Sequence, residues 1–203
     1  MAQRVLVLTA VLLTVPSLAA AQPVEQRFDG SVFFTFARLE EIGSTDRGIG
    51  SSTAGLGGRI GWRMLPHVDI EGELAVHPRA GITGYRVQGF LGTKVGVQLH
   101  RVALYAKVRP GFLYFEKDPF GAREPGSPLL NPQWSDSLEP ALDLGGVLEY
   151  ETRRGFVVRF DLGQTIVRYG TRTVFNSQFL PLQEKGGFTT RNRQWSLGLG
   201  KRF

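Results

Sequence analysis

From Phe28 onwards apolar residues recur at every second position, and no segment carries the spacing of an amphipathic helix. Eight such runs are legible, at about 28–39, 52–65, 67–78, 86–98, 101–115, 138–151, 155–169 and 188–203. In the first, Val32, Phe34 and Phe36 share one parity; in the second, Ala54, Leu56, Ile60, Trp62 and Met64 do. The last run carries Trp195, Leu197, Leu199 and Phe203 on its apolar side. Successive side chains of a strand point to opposite faces, so each run predicts a strand with one apolar face and one small, polar or charged face. Arg38 breaks its parity, as expected of a residue beyond the end of an apolar belt.

The connections alternate as well. Leu65-Pro66-His67, Leu99-His100-Arg101 and Thr152-Arg153-Arg154-Gly155 read as tight turns. The intervening stretches, about 40–51, 79–85, 116–137 and 170–187, are longer and rich in Gly, Pro and Ser. Short and long connections in turn predict an all-β fold, an eight-stranded antiparallel up-and-down transmembrane β-barrel with turns at one end and loops at the other. Strands of this length suffice to cross a tilted bilayer path.

The non-apolar faces separate this reading from a soluble, lipocalin-like ligand-binding barrel, which would turn its apolar face inward. They hold glycines and opposed charges. Arg59 and Arg63 in the second run meet Asp69, Glu71 and Glu73 in the third; pairing Met64 with Val68 sets Arg63 opposite Asp69 and Arg59 opposite Glu73. Lys94, Lys107 and Arg109 are basic and need acidic strands on both sides, which the third run and Glu139, Asp143 and Glu149 supply. With Asp29, Arg159, Asp161 and Arg202, acids and bases nearly balance, as a narrow lumen of low dielectric requires. Gly92, Gly96, Gly111, Gly145, Gly163, Gly198 and Gly200 share this parity and would make room for Tyr105, Phe33 or an arginine. Eight strands leave an interior just wide enough for side chains to fill, so the expectation is a plugged barrel.

Composition then fits the pattern. A mean hydropathy of -0.08 and the lack of a long apolar run after residue 21 exclude helical membrane crossing, but the average merges a lipid-facing parity with a charged one. The absence of cysteine excludes disulfide frameworks, thiolate metal sites and thiol catalysis. Residues 1–21 have a basic start at Arg4, an apolar stretch Val5 to Val15, Pro16 and Ala19-Ala20-Ala21, the pattern of a cleavable signal peptide preceding a barrel domain over 22–203. Export without cysteines suits a Gram-negative envelope. The net charge of +6 raises nucleic acid as a partner, but an export signal and bases interleaved with acids argue against it.

Tyr105-Ala106-Lys107-Val108-Arg109-Pro110-Gly111-Phe112, Leu144-Gly145-Gly146-Val147-Leu148-Glu149-Tyr150, Val158-Arg159-Phe160-Asp161-Leu162 and the closing Leu197 to Phe203 strand carry a resemblance to the small eight-stranded outer-membrane β-barrels of the OmpA/OmpX type. The resemblance covers 22–203 and is specific for architecture. It implies insertion by the outer-membrane assembly machinery through the final strand ending in Phe203, tight turns in the periplasm and loops outside. It also implies a structural, interaction or adhesion role borne by extracellular loops. No cell-wall-binding segment is expected.

Candidate chemistry is sparse. Some barrels of this kind modify lipid A with His, Ser and a carboxylate. Here His67 and His100 lie in the tight turns, and His77 faces the lumen near the outer rim without a nearby serine elbow. No catalytic, cofactor-binding or metal-binding residue is therefore expected, the arginines opposite Asp69, Glu71 and Glu73 accounting for that acidic row. Gly55-Leu56-Gly57-Gly58-Arg59-Ile60-Gly61 lies inside a strand, where a dinucleotide loop cannot form. Trp62, Tyr150, Phe156 and Phe203 are placed for one aromatic girdle, Tyr114 and Trp195 for the other. Outer-membrane lipid and lipopolysaccharide are expected partners, with Arg123, Arg172, Lys185, Arg191 and Arg193 as candidate phosphate contacts. The third loop, with Pro119, Phe120, Pro125, Pro128, Pro132 and Trp134, is the candidate surface for an unknown extracellular partner.

Overall fold

A computed structural model describes residues 27–38, 52–78, 84–117, 136–170, 172–175, 181–185 and 187–203. The signal-peptide segment, Arg123 and the proline-rich part of the third loop lie outside the described residues. Eight long strands form the wall: β1 (Phe28–Arg38), β2 (Ser52–Leu65), β3 (Val68–His77), β4 (Arg86–Leu99), β5 (Val102–Phe115), β6 (Ser137–Glu151), β7 (Phe156–Tyr169) and β10 (Phe188–Arg202). Their order, β1-β10-β7-β6-β5-β4-β3-β2, closes on itself, every neighbour antiparallel. Closure is sealed at the terminal edge by Phe28 N–H to the Phe203 carbonyl (3.0 Å) and Phe203 N–H to the Phe28 carbonyl (2.8 Å). A closed sheet has no edge, so its backbone groups are satisfied without water, the condition for crossing a bilayer.

The connection at 170–187 holds a feature the alternation did not announce. β8 (Arg172–Phe175) and β9 (Pro181–Lys185) pair as a separate two-stranded sheet. The runs are too short and too polar to stand out as strands in the sequence.

The three tight turns lie where expected, with one correction. Arg63 pairs with Asp69 and Arg59 with Glu73, but Leu65 rather than Met64 faces Val68, because a bulge between Arg63 and Leu65 displaces Met64. A bulge adds one residue on one strand, so the register shifts by one between the turn and the rest of the hairpin. In the second turn His100 adopts φ 58, and in the third Gly155 adopts φ 76. Thr152 Oγ1 braces the third turn, accepting from Phe156 N–H and donating to the Phe156 carbonyl, both at 3.1 Å.

Burial is inverted relative to a soluble barrel. Outward-facing Val32, Ile60 and Leu199 are 70%, 72% and 64% exposed, whereas Glu71, Lys94, Arg109 and Asp143 are fully buried. Across the middle of the wall the apolar parity is the exterior and the charged parity the interior. That arrangement is stable only with hydrocarbon outside.

Candidate functional site

Among the described residues, buried charge is concentrated in the lumen. Its buried cations are Arg59, Arg86, Lys94, Lys107, Arg109, Arg159 and Arg202; its buried acids are Asp69, Glu71, Glu73, Glu139, Asp143, Glu149 and Asp161. Seven face seven, so the charge balance expected from the sequence holds. Two members leave the set and one joins it: Asp29 and Arg63 are only partly buried, at the periplasmic mouth, and Arg86 takes a place inside.

Cross-strand neighbours and cross-lumen chords together build the network. Arg59 reaches Glu73 at 2.6 Å along the β2–β3 hairpin. Lys94 and Lys107 stand directly opposite each other on β4 and β5, a repulsive pair alone. Lys94 is drawn to Asp69 at 3.4 Å and to Glu149 on β6, and Lys107 to Asp143 at 3.0 Å and Asp161 at 3.2 Å. Arg109 holds Asp143 at 2.5 Å on one side and Glu71 at 2.5 Å and Glu73 at 2.7 Å on the other. Arg159 on β7 spans the whole lumen to Glu71 on β3, four strands away around the wall, while gripping Asp161 at 2.8 Å. At the mouth, Arg63 donates to Asp69 (3.1 Å), Gln98 (3.2 Å) and the Tyr105 hydroxyl (3.2 Å), and Arg202 meets Glu149 at 3.1 Å and Glu151.

Inward-facing glycines supply the space. A Cβ on Gly57 would lie 2.4 Å from the tip of the Phe33 ring, and one on Gly96 would overlap Tyr105. Those two rings in turn carry cations: the Arg59 guanidinium lies 4.5 Å from the Phe33 centroid and the Lys94 ammonium 4.7 Å from that of Tyr105.

Towards the extracellular end the interior changes character. Phe90, Leu113, Phe115, Ala141, Val167 and Tyr169 pack together inside the barrel, with Phe188 against them. The alternation places charge and glycine on the inward parity and does not foretell this apolar cap. The signal was there in Leu113, Phe115, Val167 and Tyr169, which all lie on the lumen parity at strand ends. Beside the cap, Thr35, Gln194 and Thr165 form a polar chain of 3.1 Å links.

His77 lies in this upper region, fully buried. The Arg86 Nη2 donates to His77 Nε2 at 3.0 Å, so the ring proton resides on Nδ1, which donates to Thr53 Oγ1 at 3.0 Å. Both ring nitrogens are thus committed, neither to a carboxylate nor to a serine. Arg86 has no carboxylate against it among the described residues, and its Nε has no hydrogen-bond partner. Among the described residues no cluster of three or more His, Asp or Glu is arranged to hold a metal ion.

Outside, Trp62, Tyr150, Phe156 and Phe203 are exposed near the periplasmic end. At the opposite end Phe36 stacks on Trp195 at 5.5 Å, and Tyr85 lies 5.9 Å from Tyr114. These are the two girdles expected where a barrel meets lipid headgroups.

Comparison with protein-family models and with curated protein sequences gives no match. Among solved structures, outer membrane protein H (OprH) of P. aeruginosa aligns over 86% of this chain and 99% of its own, at 12% identity and a TM-score of 0.50. Ail, the attachment invasion locus protein of Yersinia pestis, aligns over 88% of this chain and 99% of its own, at 14% identity and a TM-score of 0.48. Neisserial surface protein A aligns over 87% and 97%, at 15% identity and a TM-score of 0.47. At such identities the likeness concerns the fold. A closed eight-stranded wall, apolar outside and charge-compensated within, with the start of β1, Phe203 and the tight turns at one end, defines an integral outer-membrane β-barrel protein. Its place is the outer membrane of a Gram-negative envelope.

Proposed function

We propose that this protein is a non-conducting outer-membrane barrel that acts as a structural or adhesive element through its extracellular loops. The observation that carries the reading is the filled lumen. Six buried cations and six buried acids cross-link the wall, and apolar side chains pack beside His77 and Arg86 towards the outer end, so side chains occupy the lumen along its length. With the wall facing lipid and the lumen occupied, the surfaces left to meet a partner are the loops. The commitment of both His77 nitrogens speaks against lipid A modification by a histidine base.

Two measurements test this. Reconstituted in a planar bilayer, the protein should give no large steady conductance; an open channel would contradict the filled lumen. Replacing 118–135 by a short Gly/Ser linker should leave the barrel folded and abolish attachment of expressing bacteria to host cells or matrix. Unchanged attachment with each long loop replaced in turn would refute the loop-borne role.

A further inference from the structure

The exterior of the β1–β10 pair changes in steps from the bilayer centre outwards. Val32 faces Leu199, Phe34 faces Leu197, Phe36 faces Trp195, and then Arg38 faces Arg193. Two arginines therefore stand side by side one pleat beyond a stacked aromatic pair, on the lipid side of the wall. Like charges directly opposite each other destabilise a sheet unless something compensates them. The strands on either side bring no carboxylate: Ser52 lies opposite Arg38, and Gln164 lies opposite Arg193.

The patch continues round the barrel. Arg191 is the next outward-facing residue of β10, and Arg168 stands on β7 opposite Thr189. Arg38, Arg168, Arg191 and Arg193 are all exposed, and Arg38, Arg168 and Arg193 make no ion pair among the described residues. Arg38 and Arg193 stand directly opposite each other, about 5 Å apart. Arg168 lies four residues farther along the β7–β10 ladder, about 13 Å away, so the row matches two phosphates at opposite ends of one headgroup.

We infer that this face binds the phosphorylated headgroup of an outer-leaflet glycolipid, one phosphate held between Arg38 and Arg193, a second by Arg168, and its acyl chains lying along Phe34, Phe36 and Trp195. Guanidinium groups pair with phosphate through two parallel charge-assisted hydrogen bonds, and uncharged Ser52, Gln164 and Thr189 add donors without repelling an anion. The apolar and aromatic surface directly below favours a lipid over free phosphate. Arg38, the exception in the alternation, acquires a reason: it lies at headgroup depth. Of the loop bases expected to meet phosphate, Arg191 and Arg193 belong to this face, while Arg38 and Arg168 complete it.

The test is binding of hexa-acylated diphosphoryl lipid A to the full-length folded barrel in zwitterionic detergent, followed by tryptophan emission. An arginine at an anionic membrane surface contributes about fivefold in affinity, so R38Q/R168Q/R193Q should weaken binding by about a hundredfold. R153Q/R154Q, which removes two arginines from the periplasmic turn, should bind as the parent does. If the triple variant does not fold, R193Q alone should lose about fivefold. Unchanged affinity of the folded variants, an equal loss in R153Q/R154Q, or full competition by millimolar inorganic phosphate would each overturn the assignment.

Discussion

Glu71 lies within ion-pair reach of Arg59, Lys94, Arg109 and Arg159, which come from four different strands. Removing its charge leaves the surrounding cations short of one acid in a place without water. Glu71→Gln should therefore cost about 3–5 kcal/mol in urea unfolding from lipid vesicles. Arg86 presents the opposite case: a buried guanidinium whose described partner is a neutral imidazole rather than an acid. Desolvating an uncompensated charge is costly, so Arg86→Met should leave the barrel at least as stable as the parent. A loss of more than about 1 kcal/mol for Arg86→Met would mean that a carboxylate compensates it after all. Equal losses for the two variants would contradict the division of the lumen into a paired lower part and a lightly charged upper part.

At the scale of the strand, parity governs what each position tolerates, and β2 shows this on adjacent glycines. A Cβ at Gly57 would meet Phe33 at 2.4 Å and the Leu74 carbonyl at 2.6 Å, whereas one at Gly58 meets nothing nearer than the Ser31 carbonyl at 4.0 Å. Gly57→Ala should thus lose about 1–3 kcal/mol through overpacking. Gly58→Ala, on the lipid side, should change stability by less than about 0.5 kcal/mol. The measurement is heat-induced loss of the compact form on unboiled gels; similar shifts for both would mean that the inward and outward faces are wrongly assigned. The same two-residue period explains the bulge at Met64. It absorbs an extra residue beside the turn, and so keeps Arg59 and Arg63 inside, opposite Glu73 and Asp69.

For the whole molecule, the two sets of arginines should respond differently to salt. Ion pairs buried in the lumen are shielded from counterions, while the arginine row on the outer rim is open to them. Raising sodium chloride from about 0.05 to about 1 M should move the unfolding temperature by less than about 2 °C. Over the same range lipid A affinity should fall steeply. A large fall in unfolding temperature would show that water and ions reach the lumen, against both the plug and the absence of conductance.

Strand number, the identity of the lipid-facing side, the near-neutral interior and the glycines under Phe33 and Tyr105 were all legible in the sequence. A period of two is imposed on each strand by backbone geometry alone, and inside and outside differ so much chemically that positions in the middle of each strand record their side. Hairpin partners such as Arg59 and Glu73 were legible too, since a tight turn sets its own register. What the sequence did not carry is what depends on closure. That Arg159 meets Glu71 across the lumen follows from where strands four apart come to face each other, a matter of shear and curvature rather than of local pattern. The apolar cap of Phe90, Leu113, Phe115 and Tyr169 likewise forms only when the upper ends of separate strands converge on one point. The meeting of Arg38 with Arg193 needed the first strand to pair with the last, 155 residues away, and only the closed barrel provides that contact.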